Sequence, residues 1–246
     1  MNMKNAEDRL LFCRETLIPM VKEIAHESIN NSFAIEEKGH GNYVTDIDIV
    51  IETRLKNKLG QILPKAGFLA EESREHEKSE YEYRWIIDPI DGTSNFIYGY
   101  PYAISVALEY VPLGEPVIGV VYDPRNDIAY YASKDNGSYV LKGGETKLLE
   151  VKSFEDGEGV AIFGMPYDRK KTKKILDIAG KYYDSCSDLK RIGPASLDIC
   201  MVASGHAKLY FELDLEKWDV AAGMLILIEA GGRFSKEDDL MIFSSY

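Results

Sequence analysis

Trp85-Ile86-Ile87-Asp88-Pro89-Ile90-Asp91-Gly92-Thr93-Ser94-Asn95-Phe96 joins an apolar run to two carboxylates and a Gly-Thr turn. Trp85 to Ile87 reads as a short strand, Asp88 and Asp91 follow it three positions apart, and the turn leads towards a helix. Carboxylates with a backbone carbonyl suit a hard cation such as Mg²⁺, and backbone N–H groups at a turn suit phosphoryl oxygens. One segment thus carries both halves of a phosphoryl-transfer site. Read alone, it has a plainer meaning, because Asp-Gly is a common turn dipeptide and an acid at a strand end caps the next turn. Paired buried acids are costly unless a cation neutralises them, so a metal site requires further acids to converge here.

Working outward, Glu71-Glu72 follows Phe68-Leu69-Ala70 and stands at the end of a second short strand. Asp219 lies between Trp218 and an apolar helix, where capping that helix is the alternative role. Asp46 and Asp48 share the first turn of a helix opened by Thr45, and Thr45 with Asp48 has the spacing of a capping pair. His26, His40, His76 and His206 have no H-x-x-x-H spacing and read as surface or structural residues. The chain has no P-loop, no G-x-G-x-x-G after a strand and no G-x-S-x-G elbow, which removes support for nucleotide-triphosphate and serine-hydrolase chemistry.

Apolar residues at helical spacing predict two N-terminal helices, one carrying Leu10, Leu17, Val21 and Ile24 and the other Ile47, Ile51, Leu55 and Leu59. Lys38 to Asn42 reads as the loop between them. Runs rich in Val, Ile and Tyr at 103–108, 117–122, 128–132 and 138–141 predict an antiparallel meander. Beyond it, strands at 160–163 and 207–213 alternate with a basic helix over 168–181, a helix opened by Pro194 and running through Ala203, and a helix from Trp218 closed by Gly231-Gly232, before two short closing strands. Interleaved strands and helices predict layered sheets covered by helices in one domain over 1–246, any division into lobes falling near 149–159.

The formal charge of −12 argues against nucleic-acid and anionic-membrane partners, since both rest on Lys and Arg neutralising phosphates. A small anionic substrate then needs metal ions to approach. Cys13, Cys186 and Cys200 are far apart and odd in number, which fits a reducing cytoplasm rather than a disulfide framework or zinc site. The start of the chain lacks a signal-peptide pattern, and the longest apolar run, Val220 to Ile228, is too short to span a bilayer.

Together, Ala70-Glu71-Glu72-Ser73, the Trp85 to Phe96 segment and Trp218-Asp219-Val220-Ala221-Ala222-Gly223 resemble the inositol monophosphatase family of Mg²⁺-dependent, lithium-sensitive phosphomonoesterases. Val44-Thr45-x-x-Asp48, Tyr98-Gly99-Tyr100-Pro101 and Gly193-Pro194-Ala195 are smaller echoes, and the match runs from the first helix to Gly232. The resemblance implies an α-β-α-β-α sandwich of the inositol monophosphatase/fructose-1,6-bisphosphatase type, commonly a homodimer, binding two or three Mg²⁺ ions. It implies metal ligation by Glu71, Asp88, the Ile90 carbonyl, Asp91 and Asp219, and water orientation by Thr93 with Glu71 and Asp48. It also implies phosphate binding by Gly92 and Thr93, contact with the rest of the substrate by Gly193, Pro194, Ala195 and Glu212, and a loop lysine over the site at Lys38. Ala70 stands where the family usually has glycine, and Pro194 where Thr or Ser is frequent. The chain stops at Tyr246, where relatives usually continue into a terminal helix.

Inositol monophosphate is the first substrate the resemblance implies, with fructose 1,6-bisphosphate, 3′-phosphoadenosine 5′-phosphate and NADP as alternatives. A regulatory, partner-binding member is a second alternative. A haloacid-dehalogenase-type phosphatase requires D-x-D-G, one residue shorter than Asp88 to Asp91.

Overall fold

The computed structural model describes residues 3, 5–29, 34–39, 42–73 and 81–245, without the side chains of 37–39 and 42–44. Helix α1 (Ala6–Phe12) passes through a π-helical turn (Cys13–Leu17) into α2 (Ile18–Ile29), so the predicted first helix forms as one interrupted rod. Where a loop was expected, strands β1 (Ile35–Gly39) and β2 (Asn42–Thr45) pair antiparallel. Its polar sequence, Glu36-Glu37-Lys38, carries none of the apolar alternation that marks a half-buried strand. Helix α3 (Asp46–Ile62) starts at the predicted Thr45/Asp48 capping box and buries Ile47, Ile51, Leu55 and Leu59 on one stripe. Each such side chain contributes about 1.5–3 kcal/mol on burial.

Strands β3 (Gly67–Ala70), β4 (Tyr83–Asp91), β5 (Ala103–Tyr110), β6 (Glu115–Asp123), β7 (Ile128–Ser133), β8 (Ser138–Lys142) and β9 (Glu145–Leu148) form one sheet in sequence order, antiparallel except for the β3/β4 pair. Strand β9 is exposed at every position, so it offers no hydrophobic signal to read. Helix α4 (Thr93–Tyr98) follows β4 directly.

A second sheet has the order β11-β10-β12-β14-β13, made from β10 (Val160–Phe163), β11 (Asp188–Lys190), β12 (Leu209–Leu213), β13 (Arg233–Glu237) and β14 (Leu240–Ser244). Between β10 and β11 runs a 3₁₀ turn (Arg169–Lys171) and α5 (Thr172–Tyr183), so the predicted basic helix begins as a 3₁₀ turn capped by the Asp168 carboxylate. Helices α6 (Ala195–Ala203) and α7 (Lys217–Glu229) complete the chain's regular structure among the described residues.

Alternation along the central strands builds the layers. Trp85, Ile87, Val106, Leu108 and Val120 face α1 to α3 in one cluster, while Ile86, Ala103, Ala107 and Val121 face α6 and α7 in another. The second sheet packs Tyr210 and Phe243 against α6 and α7, and Leu209 and Phe211 against Ile175 and Ala179 of α5. The order is helix, sheet, helix, sheet, helix, as expected. Helices α6 and α7 are covered by sheets on both sides, which is why their sequences are apolar nearly all round. Close approach holds α7 in place: a Cβ on Gly119 of β6 would stand 2.8 Å from the Ala222 carbonyl oxygen.

Candidate active site

Asp88 and Asp91 lie within β4, which continues through both acids instead of ending at Ile87. In a regular strand, residues three apart point to opposite faces. Here Asp88 pairs with Ser105 and Asp91 with Ala103, so three steps on β4 match two on β5. This bulge restores the parity, and both acids take the face of Ala103 and Ala107, towards α6 and α7. Pro89 sits in the bulge, where the N–H it lacks is not required by the ladder.

Three other elements bring acids to this face. Glu71 follows β3, its N–H bonded to the Ile87 carbonyl at 3.2 Å, and its side chain is hydrogen-bonded to Asp88. Asp219 is the third residue of α7, where one oxygen accepts the Glu216 N–H at 2.7 Å in a capping box. Capping does not remove it from the acid group, since the charges of Asp91 and Glu71 act on it. Asp48 is fully buried and does double duty, its Oδ2 accepting from Thr45 N at 2.8 Å and its Oδ1 from Thr93 Oγ1 at 3.2 Å. The Thr93 hydroxyl also lies 3.2 Å from the Ile90 carbonyl oxygen.

Electrostatics follow from this crowding. Burial, then the charges of Glu71, Asp91 and Asp219, push the Asp88 carboxyl well above the ordinary carboxylate range. Burial raises Asp219 likewise, followed by Asp91. Asp91 and Asp48 are each pushed up to about 6, chiefly by burial, with hydrogen bonds holding them back. Among the described residues no three His, Cys, Asp or Glu side chains are drawn into a tight metal cage. Asp88 Oδ1 is nevertheless buried without a hydrogen-bond partner, and an unpaired buried carboxylate oxygen among other acids fits a hard cation. The residues present therefore suit Mg²⁺.

The phosphate turn is shaped by contact. Gly92 has φ +85°, and a Cβ there would come 2.9 Å from Pro194 Cβ, so only glycine lets the turn lie against the 193–195 segment. Pro194 is the residue before α6 rather than its first residue, one position from expectation. Asp91 supplies the cap that Pro194 cannot, accepting the Ser196 N–H at 2.7 Å and a hydrogen bond from the Ala195 backbone. Asp198 holds the Gly193 N–H at 2.9 Å. Ala70 has no positive φ and is buried in β3, so its methyl group is tolerated where the family usually has glycine.

A cavity of about 610 Å³ opens from this corner. Asp91, Gly92, Asp219, Gly193, Pro194, Ala195 and Glu212 line it, together with Arg169 and Arg191. Burial pushes Glu212 up to about 7, against the hydrogen bond its Oε2 receives from Tyr210. A Cβ on Gly164 would overlap the Glu212 carboxylate, so that glycine makes room for it. The side chain of Lys38, and all of His40 and His76, lie outside the described residues.

Sequence reasoning missed several of these groups. Asp198 and Ser196 act through the backbone geometry of the 193–195 segment, and Glu52 steadies the Glu pair by accepting the Glu72 N–H at 2.9 Å. Only the placement of Glu52 one turn after Asp48 on the same helix hinted at it.

The inositol monophosphatase family model matches residues 7–239. This chain belongs to the inositol monophosphatase family. It is 37% identical over 203 residues to a fructose-1,6-bisphosphatase/inositol-1-monophosphatase of Aquifex aeolicus, a match covering 82% of this chain and 75% of that protein. It is 35% identical over 202 residues to the Nus factor SuhB of Escherichia coli, covering 80% and 72%. Among solved structures, the extragenic suppressor protein SuhB of Bartonella henselae superposes with a TM-score of 0.82 at 30% identity, covering 92% of this chain and 90% of that one. As an inositol monophosphatase family member the chain is a phosphatase, of a Mg²⁺-dependent family acting on small phosphorylated substrates.

Proposed function

We propose that the chain is a Mg²⁺-dependent phosphomonoesterase that hydrolyses a small phosphorylated polyol, inositol monophosphate first, by direct attack of water without a covalent phosphoenzyme. The observation that carries this reading is the meeting of Asp88, Asp91, Glu71 and Asp219 at one face, opening into a cavity that also presents Glu212. Glu71, Asp88, Asp91, Asp219 and the Ile90 carbonyl would hold two or three ions. Bound Mg²⁺ supplies charge neutralisation and a water of lowered pKa.

The protein's own groups do the positioning. Asp48 Oδ1 takes the hydrogen bond of Thr93 Oγ1, which leaves the hydroxyl's lone pairs to accept from the attacking water, with Glu71 as a second acceptor. Gly92 and Thr93 offer backbone N–H groups to the phosphate. Glu212, held by Tyr210, accepts from substrate hydroxyls, and the Gly193 to Ala195 segment closes that side of the pocket. Lys38, whose backbone lies in β1, is assigned as the lysine over the site.

Phosphate release from inositol 1-phosphate, fructose 1,6-bisphosphate, 3′-phosphoadenosine 5′-phosphate and NADP, with Mg²⁺ or EDTA and with or without Li⁺, tests the reading. Mg²⁺-dependent, Li⁺-inhibited release from inositol 1-phosphate is expected. Light scattering is expected to give a homodimer. No helix among the described residues is long and apolar enough to cross a membrane.

The SuhB relatives favour a second reading, a regulatory member that acts by binding a partner. A folded, Mg²⁺-stabilised protein that releases phosphate from none of the substrates would select it.

A further inference from the structure

Glu109 of β5 has a fully buried side chain, although it stands apart from the acids of the site. The pairs Asp88/Ser105, Ile86/Ala107 and Arg84/Glu109 follow one another at two-residue steps along β4 and β5, so Glu109 lies on the face turned to α6 and α7. About 13 Å of strand separates Arg84 from Asp88, which puts Glu109 out of contact with ions held at the acids. Two cations from different elements take its oxygens. Arg84 donates to Oε2 from Nε at 2.9 Å and from Nη2 at 2.6 Å, and Lys217, the first residue of α7, donates to Oε1.

Lysine is an adverse choice at the start of a helix, where the positive end of the dipole favours acids. Nor does Glu109 need it for neutralisation, since Arg84 already makes two charge-assisted hydrogen bonds to the carboxylate. What Lys217 adds is a directional link from the sheet to the first turn of α7. Asp219 lies in that turn, tied to it by the hydrogen bond its Oδ2 accepts from the Glu216 N–H. Further along, Gly119 admits Ala222 to close contact, so Asp219 stands between two fixed points of the helix. Trp218 and Val220 pack here as well, but apolar burial is non-directional and does not by itself fix how the helix is turned.

We propose that Arg84, Glu109 and Lys217 form a positioning device for the metal site: they anchor the first turn of α7 to β4, and so set the approach of Asp219 to Asp88 and Asp91. This role deepens the proposed function and rests on it. The charges of Asp91 and Glu71 repel Asp219, and an anchor on its own turn holds it against them. Position and charge predict opposite signs. A cation two residues from a metal ligand repels Mg²⁺, so removing Lys217 would tighten Mg²⁺ binding if its charge alone mattered. Removing an anchor loosens it.

Isothermal titration calorimetry of Mg²⁺ into the substrate-free protein reads the sign directly. Lys217→Met, which keeps the stem and removes the ammonium group, is expected to weaken Mg²⁺ binding about tenfold, as loss of a group that orients a metal ligand does. Lys217→Arg, which keeps a donor for Glu109, is expected to bind Mg²⁺ as the wild type does. The Mg²⁺ concentration for half-maximal phosphate release from inositol 1-phosphate should rise in Lys217→Met by the factor the calorimeter gives. In a Glu109→Gln background, Lys217→Met should weaken binding little further, because the anchor is already broken. Tighter or unchanged Mg²⁺ binding in Lys217→Met would overturn the assignment, even with a lowered melting temperature, since that is the mark of a merely structural ion pair. An undiminished further loss in the Glu109→Gln background would overturn it too, by showing that the lysine acts without Glu109. Lys217 is partly exposed, so its two variants are expected to fold and decide the sign whether or not Glu109→Gln folds. Wild-type protein that takes up no Mg²⁺ would instead remove the proposed function.

Discussion

Thr93 and Asp88 separate two kinds of contribution to the site. The Thr93 hydroxyl bonds Asp48 and would orient water, so Thr93→Ala is expected to lower kcat by about 10²–10⁴-fold, the usual range for a general acid–base component, while Thr93→Ser keeps most of it. Asp88 is different, because its carboxylate is buried among three others with one oxygen unpartnered. Asp88→Asn should abolish Mg²⁺-dependent phosphate release while the melting temperature in EDTA stays level or rises, since a repelled charge has been removed. A variant with wild-type turnover would show that the ions are held elsewhere. Gly164→Ala places a methyl group into the Glu212 carboxylate and is expected to raise KM for inositol 1-phosphate more than it lowers kcat.

Gly119 on β6 lets α7 approach the sheet until its Cα stands against Ala222, and α7 carries Asp219. Gly119→Ala should cost about 1–3 kcal/mol in denaturant unfolding, as overpacking does, and should raise the Mg²⁺ concentration needed for half-maximal activity by displacing Asp219. Elements with apolar periodicity or continuous apolar runs were legible in the sequence: the Ile47 to Leu59 stripe of α3 buries one face, and the Val, Ile and Tyr runs of the meander are buried on both. The β1/β2 hairpin and β9 were not, because pairing there is made by backbone groups under polar side chains. The types of acid in the site were legible from Glu71, Asp88, Asp91 and Asp219. Their common orientation was not, because strand period alone sends Asp88 and Asp91 to opposite faces and only the bulge reunites them.

At the scale of the molecule, two sets of carboxylates pull the pH dependence of stability in opposite directions. Asp48 and Asp91, raised to about 6, Glu212, raised to about 7, and Asp88, Asp198 and Asp219, raised well above the ordinary carboxylate range, keep protons in the folded state that the unfolded chain has already released above about pH 4. Unfolding then releases protons, so stability falls as pH rises through these values. Asp239 is depressed by its hydrogen bonds to Lys171 and Lys174, and its contribution is present above about pH 4 and lost below it. Metal-free protein should therefore melt at higher temperature at pH 5 than at pH 8, and saturating Mg²⁺ should raise the melting temperature more at pH 8 than at pH 5. Calorimetry in EDTA and in Mg²⁺ at both pH values checks this, and equal Mg²⁺ increments would contradict it. The Asp91 to Ser196 hydrogen bond spans 105 positions of the chain. During synthesis, then, the seven-stranded sheet can form long before its acids meet α6 and α7, and a growing polypeptide cannot hydrolyse phosphate esters until its last third has left the ribosome and docked.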